Sequence, residues 1–245
     1  MDRLKDKVAI ITGGTHGIGK AIAQAYVDEG AQVVITAPTE DQGQAAAEEL
    51  GPQATYIKQD AASENDWRNL IDQTMAKFQH LDILVNNAGR APKVVPITEE
   101  PLDDWQKVMD LNLTGVFLGM KYAMQAMKEN GGGSIINMAS VEGIVGAPNG
   151  DAYNASKAGV RLLTKTAALD AATHRWGIRA NAVFPGVIDT GILTPDELKQ
   201  FDGITPLGRV GKPEDIAPIC VYLGSDESSF AASADFVIDG GYTAQ

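Results

Sequence analysis

The stretch "KVAIITGGTHGIGKAIAQAYVDEGAQVVIT" (7–36) decides the fold. It opens on "KVAIIT" (7–12), an apolar run without polar alternation, as expected of a strand covered on both faces. The run breaks at "TGGTHGIG" (12–19), continues as an amphipathic stretch over 17–30, and returns as "QVVIT" (32–36). Strand, glycine turn, helix and strand in so short a span predict a βαβ unit, because parallel strands need a helical crossover to join them. Glycines 13, 17 and 19 allow φ > 0, close approach of an anion to the backbone and tight packing of helix on strand. The unpaired N–H groups of the helix start then face that anion. Tight strand-to-helix turns also use glycine for steric reasons alone, so the loop takes its meaning from the rest of the chain.

The same alternation runs to the C-terminus. "ATYIK" (54–58), "DILVN" (82–86), "SIINM" (134–138), "RANAVF" (179–184) and "DFVID" (235–239) read as further strands, and 39–50, 63–79, 101–129, 152–175 and 213–224 as helices. The fold class is α/β, a single Rossmann-type doubly wound parallel sheet with helices on both faces. No repeat, low-complexity tract or linker interrupts it, so residues 1–245 are expected to form one domain. The least regular segment, 185–211, is too long for a plain connection, and a substrate lid is expected at about 186–211.

Composition excludes several classes. With 20 Lys plus Arg against 32 Asp plus Glu, the net charge of −12 repels a nucleic-acid backbone or an anionic membrane surface. The start "MDRLKDKVAI" lacks the apolar run of a signal peptide, and no stretch reaches the length of a membrane span. The single cysteine, Cys220, sits in "DIAPICVYL" and reads as helix packing, which leaves the cytoplasm as the expected compartment. Histidines 16, 80 and 174 are scattered and match no zinc-ligand spacing.

In "AYNASKAG" (152–159), Tyr153 and Lys157 stand four apart, on one helix face a turn from each other. Alone, that pair is ordinary helix chemistry, a packed ring and a solvated ammonium. It gains weight from its company: "TGGTHGIG", Asp60 after the third strand, "NNAG" (86–89), Asn112 in "LNLTG", Ser140 in "INMAS", "YNASK" (153–157) and "PGVIDT" (185–190).

In this set and order the chain resembles the short-chain dehydrogenase/reductase family over essentially its whole length. "SIINMASVEGIVG", "AYNASKAGVR" and "DGGYTAQ" are most similar to its bacterial R-specific alcohol dehydrogenases and carbonyl reductases. The resemblance implies an NAD(P)(H)-dependent oxidoreductase that interconverts a ketone and a secondary alcohol. Such a reaction needs a hydride donor at the carbonyl carbon and a proton donor at its oxygen. A tyrosine of pKa about 10 is a poor base at neutral pH, and a cation within about 4–6 Å lowers it by about 1–3 units. Lys157 is placed to be that cation.

The family's roles carry over as follows. Ser140 hydrogen-bonds the substrate oxygen, Tyr153 exchanges the proton, Lys157 holds the nicotinamide ribose, and Asn112 holds a water linking Lys157 to solvent. Taken singly, Ser140 is also a strand-end turn residue and Asn112 a hydrogen bonder that kinks a helix. Gly13, Thr15, His16, Gly17, Ile18 and Gly19 border the pyrophosphate, Ala37 the adenosine ribose, and Asp60 and Ala61 the adenine. Asn86, Ala88 and Gly89 pass under the riboses, beside Tyr153 and Lys157, while Pro185, Gly186, Ile188 and Thr190 clasp the carboxamide. An Asn in "NNAG" can equally tie down neighbouring backbone.

The chain departs from the family's cofactor rule. An acidic residue at the end of the second strand reads NAD and an Arg there reads NADP, but Ala37 and Pro38 stand in those places. His16, Thr36 and Thr39 suit a phosphate, whereas Glu40 and Asp41 oppose one and Thr39 with Gln42 fits a capping box. The balance leans to NADP(H) over NAD(H). Glu142, Ile144, Val187, Ile192 and Leu193, with Leu198 and Phe201 beyond, make a lining suited to a small or medium apolar ketone. The tail "DGGYTAQ" either finishes the last strand and docks, or, by the resemblance, sets Gln245 beside a structural Mg²⁺. A homotetramer through the 101–129 and 152–175 helices is the family expectation. Two other readings stay open: a 3-oxoacyl or hydroxysteroid reductase of the same family, and a dinucleotide-binding redox sensor without turnover.

Overall fold

The computed structural model describes residues 2–91, 93–191, 194, 199, 201 and 203–244. Strands β1 (Val8–Thr12), β2 (Gln32–Ala37), β3 (Ala54–Lys58), β4 (Ile83–Asn86), β5 (Gly133–Met138), β6 (Ile178–Pro185) and β7 (Asp235–Ile238) pair in parallel throughout, in the order β3-β2-β1-β4-β5-β6-β7. The order reverses between β1 and β4, and in a doubly wound sheet the crevice at that reversal, beyond the strands' carboxyl ends, is where ligands sit.

The helices are α1 (Gly17–Asp28), α2 (Glu40–Leu50), α3 (Glu64–Phe78), α4 (Leu102–Met109), α5 (Gly115–Met127), α6 (Asp151–Thr173) and α7 (Pro213–Gly224). Two cores lie on opposite faces of the sheet, which explains why the central strands have no polar alternation. On one side Ile10, Leu84 and Ile135 meet Trp67, Met127 and Val160 of α3, α5 and α6. On the other, Ala9, Ile11 and Val33 meet Ile22, Tyr26 and Leu223 of α1 and α7. The outer strands are the wettest, with Lys58 exposed on β3 and Val237 39% exposed on β7.

Two local expectations are corrected. The helix expected over 101–129 is a continuous right-handed run, but Asp110–Thr114 is wound as a π turn between α4 and α5. Single π turns gather at functional sites because the widened turn redirects a side chain. The Thr39–Gln42 capping box does not form: the Thr39 side chain makes no cap bond, and Glu40 and Asp41 put negative charge at the helix start instead. At α3 the cap is made, with Ser63 Oγ accepting from Asp66 N–H at 3.2 Å and donating to the Asp66 carboxylate at 2.9 Å.

Candidate active site

The site grows from the end of β5. Past Met138 the chain leaves the sheet through Ala139 and Ser140 into a short 3-10 turn, Val141–Gly143, which lies against α6. A Cβ on Gly143 would come within 2.8 Å of the Lys157 backbone, so the turn sits flush on the helix. This seating brings Ser140, Tyr153 and Lys157 together. The Ser140 hydroxyl accepts the Glu142 N–H at 3.2 Å and is near enough to Tyr153 to lower its phenol pKa. Lys157 is only 4% exposed; its Nζ donates to the Met138 carbonyl at 2.8 Å and lies 5.5 Å from the Tyr153 ring centroid.

The protonation energetics differ from the sequence expectation. Burial raises the Tyr153 phenol above its usual range, the Ser140 hydroxyl pulls it down, and the Glu142 charge pushes it up again. Lys157 was expected to lower it, yet the ammonium is turned onto the Met138 carbonyl and is itself lowered by burial to about 8. In the ligand-free fold Ser140 therefore supplies the lowering influence.

Asn112 comes from the π turn and is fully buried. Its Oδ1 accepts the Arg90 N–H at 2.9 Å and its Nδ2 donates to the Arg90 carbonyl at 2.9 Å and to Ser156 Oγ at 3.3 Å. The chain after β4 is thereby pinned to the start of α6. Gly89 keeps the space beside it open: a Cβ there would lie 3.3 Å from Asn112 Oδ1 and 3.6 Å from Lys157 Nζ.

The glycine loop is braced by two residues that the sequence reading passed over. Thr12 Oγ1 accepts the N–H groups of Asn87 and Ala88 at 3.0 and 2.9 Å, and Asn87 Nδ2 donates to the carbonyls of Thr12 and Gly13 at 2.9 and 3.2 Å. The signal was present, since a strand-end Thr and the second Asn of "NNAG" are both short polar groups able to bond nearby backbone. Gly13 and Gly17 have φ of +64° and +53°, and a Cβ on Gly19 would lie 2.2 Å from the Gly13 carbonyl oxygen. A Cβ on Gly17 would meet Thr190 at 3.1 Å, so the chain after β6 packs on the loop there. His16 is exposed, its Nδ1 3.1 Å from Thr15 Oγ1, while Ile18 packs on the α1 core.

Other expected contacts are used for scaffolding. Asn86 turns into the core, donating to Asn137 Oδ1 at 2.8 Å, and Asn137 donates in turn to Thr164 Oγ1 at 2.8 Å. Thr36 is buried and gives its proton to Gln59 Oε1 at 2.7 Å, which removes it from the phosphate set. The buried Ala61 lends its carbonyl to Trp67 Nε1 at 2.8 Å, and Asp60 Oδ1 accepts the Ala62 N–H at 2.9 Å. Ile188 packs against the α1 and α7 core, with Gly211 paired alongside its backbone. Ala37 ends β2 buried, and its carbonyl accepts from the Tyr56 hydroxyl at 3.0 Å. Pro185 ends β6, and Gly186 crosses so near Asp239 that a Cβ would fall 2.8 Å from its Cα. Glu142, Ile144 and Val187 are at least partly exposed, whereas Ile192, Leu193, Leu198 and Gln245 lie outside the described residues. The tail docks, with Thr243 N–H and Oγ1 both donating to Asp239 Oδ2 at 2.8 and 2.7 Å.

These residues fit a dinucleotide. They offer a glycine cradle that a Cβ would fill and a buried ammonium donating to the Met138 carbonyl. A separate cleft of about 510 Å³ shares Gly17 and Thr190 with the loop but is lined otherwise by α1 and residues 212–214, away from the Ser140–Tyr153 pair. Burial pushes the Cys220 thiol up to about 12, which leaves it inert as a nucleophile. Among the described residues no three His, Cys, Asp or Glu side chains converge as a metal site, and no helix is long and apolar enough to cross a membrane.

A family model described as "Enoyl-(Acyl carrier protein) reductase" matches residues 13–243. The solved structure of a short-chain type dehydrogenase/reductase from Mycobacterium marinum superposes with a TM-score of 0.93 at 39% identity, covering 99% of this chain and 97% of that one. The chain belongs to the short-chain dehydrogenase/reductase family. Within it, the chain is 48% identical to the NADP-dependent (R)-specific alcohol dehydrogenase of Lentilactobacillus kefiri, over 100% of this chain and 99% of that protein. It is 41% identical to a 3-alpha-(or 20-beta)-hydroxysteroid dehydrogenase of Mycobacterium tuberculosis, over 99% and 91%. The family and fold read from the sequence are borne out, and the protein is an oxidoreductase.

Proposed function

We propose that this chain, acting as one domain, interconverts ketones and secondary alcohols with NADP(H), through Ser140, Tyr153 and Lys157. The observation that carries the reading is the buried Lys157 ammonium 5.5 Å from the Tyr153 ring centroid and beside Gly89, where a Cβ would lie 3.6 Å from its Nζ. When bound, the nicotinamide supplies or accepts the hydride. The two hydroxyls hold the ketone oxygen, and Tyr153 gives its proton to the alkoxide as charge develops there. Its raised pKa keeps that proton in place at neutral pH, so the fold is set up for reduction, and the reverse reaction gains as pH rises. Lys157, with one proton on the Met138 carbonyl, keeps others free for the ribose hydroxyls. Asn112 fixes the path of residues 89–90 and the start of α6 around this group.

NADP(H) is favoured by the absence of a carboxylate at Ala37 and Pro38, by the exposed Thr15–His16 pair, and by a Thr39 hydroxyl that no helix cap consumes. The Lentilactobacillus relative, named as NADP-dependent, supports the same choice. A homotetramer is supported by Phe117 of α5 and Leu162 and Leu169 of α6, apolar side chains 46%, 67% and 62% exposed in the single chain. Location in the cytoplasm fits a chain with one buried thiol.

A second reading, a bulkier cyclic ketone such as a steroid, is favoured by exposed apolar side chains in the loops after β4 and before α7. Val94, Ile97 and Leu207 there are 78%, 73% and 71% exposed. Purified protein with NADH or NADPH, offered acetophenone, a 3-oxoester and a ketosteroid, decides among these by loss of the reduced-nicotinamide absorbance. Oxidation of NADPH by acetophenone is the expected result. Cofactor binding without turnover of any ketone would overturn the reading in favour of a sensor.

A further inference from the structure

Two residues past Ser140, the Glu142 carboxylate faces the first turn of α6 and makes no ion pair among the described residues. The turn carrying it is seated on the Lys157 backbone, which holds the Glu142 backbone against α6. Its Oε2 lies 3.4 Å, and Asn154 Oδ1 3.0 Å, from the point where a Cβ on Gly150 would stand. Asn154 is oriented by its Nδ2 donating to the Ala147 carbonyl at 3.0 Å, which leaves Oδ1 buried and without a partner. Two acceptors therefore share one small region with no donor between them. The buried cation of the site, Lys157, is turned onto Met138. Burial alone raises the Glu142 carboxyl, and the charge it carries is felt at Tyr153.

We propose that Glu142 makes the site selective for ketones and alcohols bearing a cationic nitrogen a few bonds from the reacting carbon, over neutral compounds of the same shape. The proposal rests on the ketone–alcohol reading above. A carbonyl oxygen held by Ser140 and Tyr153 leaves its substituent to meet Glu142 and the apolar Ile144 and Val145, 37% and 36% exposed. An alkylated ammonium satisfies both: its charge meets the carboxylate and its methyl groups the apolar wall. The net charge of −12 raises the local concentration of such cations. A bound cation also offsets the Glu142 charge at Tyr153, so recognition and proton transfer are coupled.

The test compares (2-oxopropyl)trimethylammonium, whose charge is permanent, with its neutral isostere 4,4-dimethylpentan-2-one, in wild type and in Glu142→Gln. The expected ratio of kcat/KM, cation over neutral, is about fivefold or more in wild type, the size of one partly shielded ion pair, and falls to about one in the variant. A wild-type ratio near one, or a ratio unchanged by the substitution, overturns the proposal. Should the variant fold poorly, choline and 3,3-dimethylbutan-1-ol are compared as inhibitors of acetophenone reduction by wild type: a Ki several-fold lower for choline is expected, and equal values overturn it. If neither acetophenone nor the neutral isostere is reduced with either cofactor, the ketone reading fails and takes this proposal with it. If they are reduced without cation preference, the charge selectivity alone fails.

Discussion

The floor of the candidate site and the 187–211 arm are held differently. The floor is cross-braced by side chains from separate elements: Asn112 on Arg90 and Ser156, Lys157 on Met138, and Asn87 on the glycine loop. The arm is tied mainly by backbone where it leaves and rejoins the sheet, through Asp189 N–H to the Gly211 carbonyl at 2.9 Å, Gly211 N–H to the Val187 carbonyl at 3.0 Å and Leu207 N–H to the Gly240 carbonyl at 3.2 Å, with the Arg209 guanidinium on the Asp215 carboxylate at 2.6 and 2.8 Å as a side-chain tie to α7. Its glycines 191, 203 and 208 have φ of +77°, +74° and +71°, and no described atom lies within 4 Å of a Cβ built on them. The proposed reacting groups thus sit where geometry is over-determined, and the arm where it can adapt, as a scaffold with variable loops would place them.

The sharpest way to break this contrast is on the floor. Tyr153→Phe should leave cofactor binding intact and lower kcat by about 10²–10⁴-fold, the usual contribution of a positioned proton donor, as read by steady-state kinetics beside a binding titration. Retained turnover would remove Tyr153 from the chemistry. Gly19→Ala forces a methyl onto the Gly13 carbonyl and should weaken dinucleotide binding more than about tenfold while lowering stability by about 1–3 kcal/mol, measured by titration and urea unfolding.

Lys157→Met tests whether the floor is held at a cost in stability. The ammonium has a pKa of about 8 in the fold against 10.5 in the unfolded chain, so between those values the unfolded state binds more protons. Its burial therefore costs most below pH 8, and the cost fades as pH rises toward 10.5. The variant should be inactive yet more stable at pH 7 by about 2 kcal/mol, with the gain shrinking at pH 10, in denaturant midpoints. A gain independent of pH would refute the charge argument. On the arm, Gly191→Ala should cost only about 1 kcal/mol from its positive φ, and should move KM a few-fold while kcat stays within about twofold.

How much of this was legible in the sequence follows the same division. Uniformly apolar runs such as "KVAIIT" announce a two-faced sheet because neither face meets water, and β1 sends Ile10 to one core and Ala9 and Ile11 to the other. Tyr153 and Lys157 were legible because helical spacing fixes their relation without any tertiary contact. The π turn was not, since its residues keep ordinary helical periodicity to the eye and the extra residue is absorbed only when Asn112 finds the Arg90 backbone. Nor could the sequence tell which Asn of "NNAG" braces the loop. Strand alternation at the end of β4 decides that, sending Asn86 into the core and Asn87 to Gly13.

The Asn86–Asn137–Thr164 chain acts as a checkpoint in assembly. Its partners are 51 and 27 residues apart in sequence and meet only when β4, β5 and α6 are all in place. A catalytic helix docked one turn out of register would leave amides buried and unpaired, at about 1–3 kcal/mol each. The register of α6, which carries Tyr153, against β5, which leads into Ser140, is thereby fixed by bonds that form in folding itself.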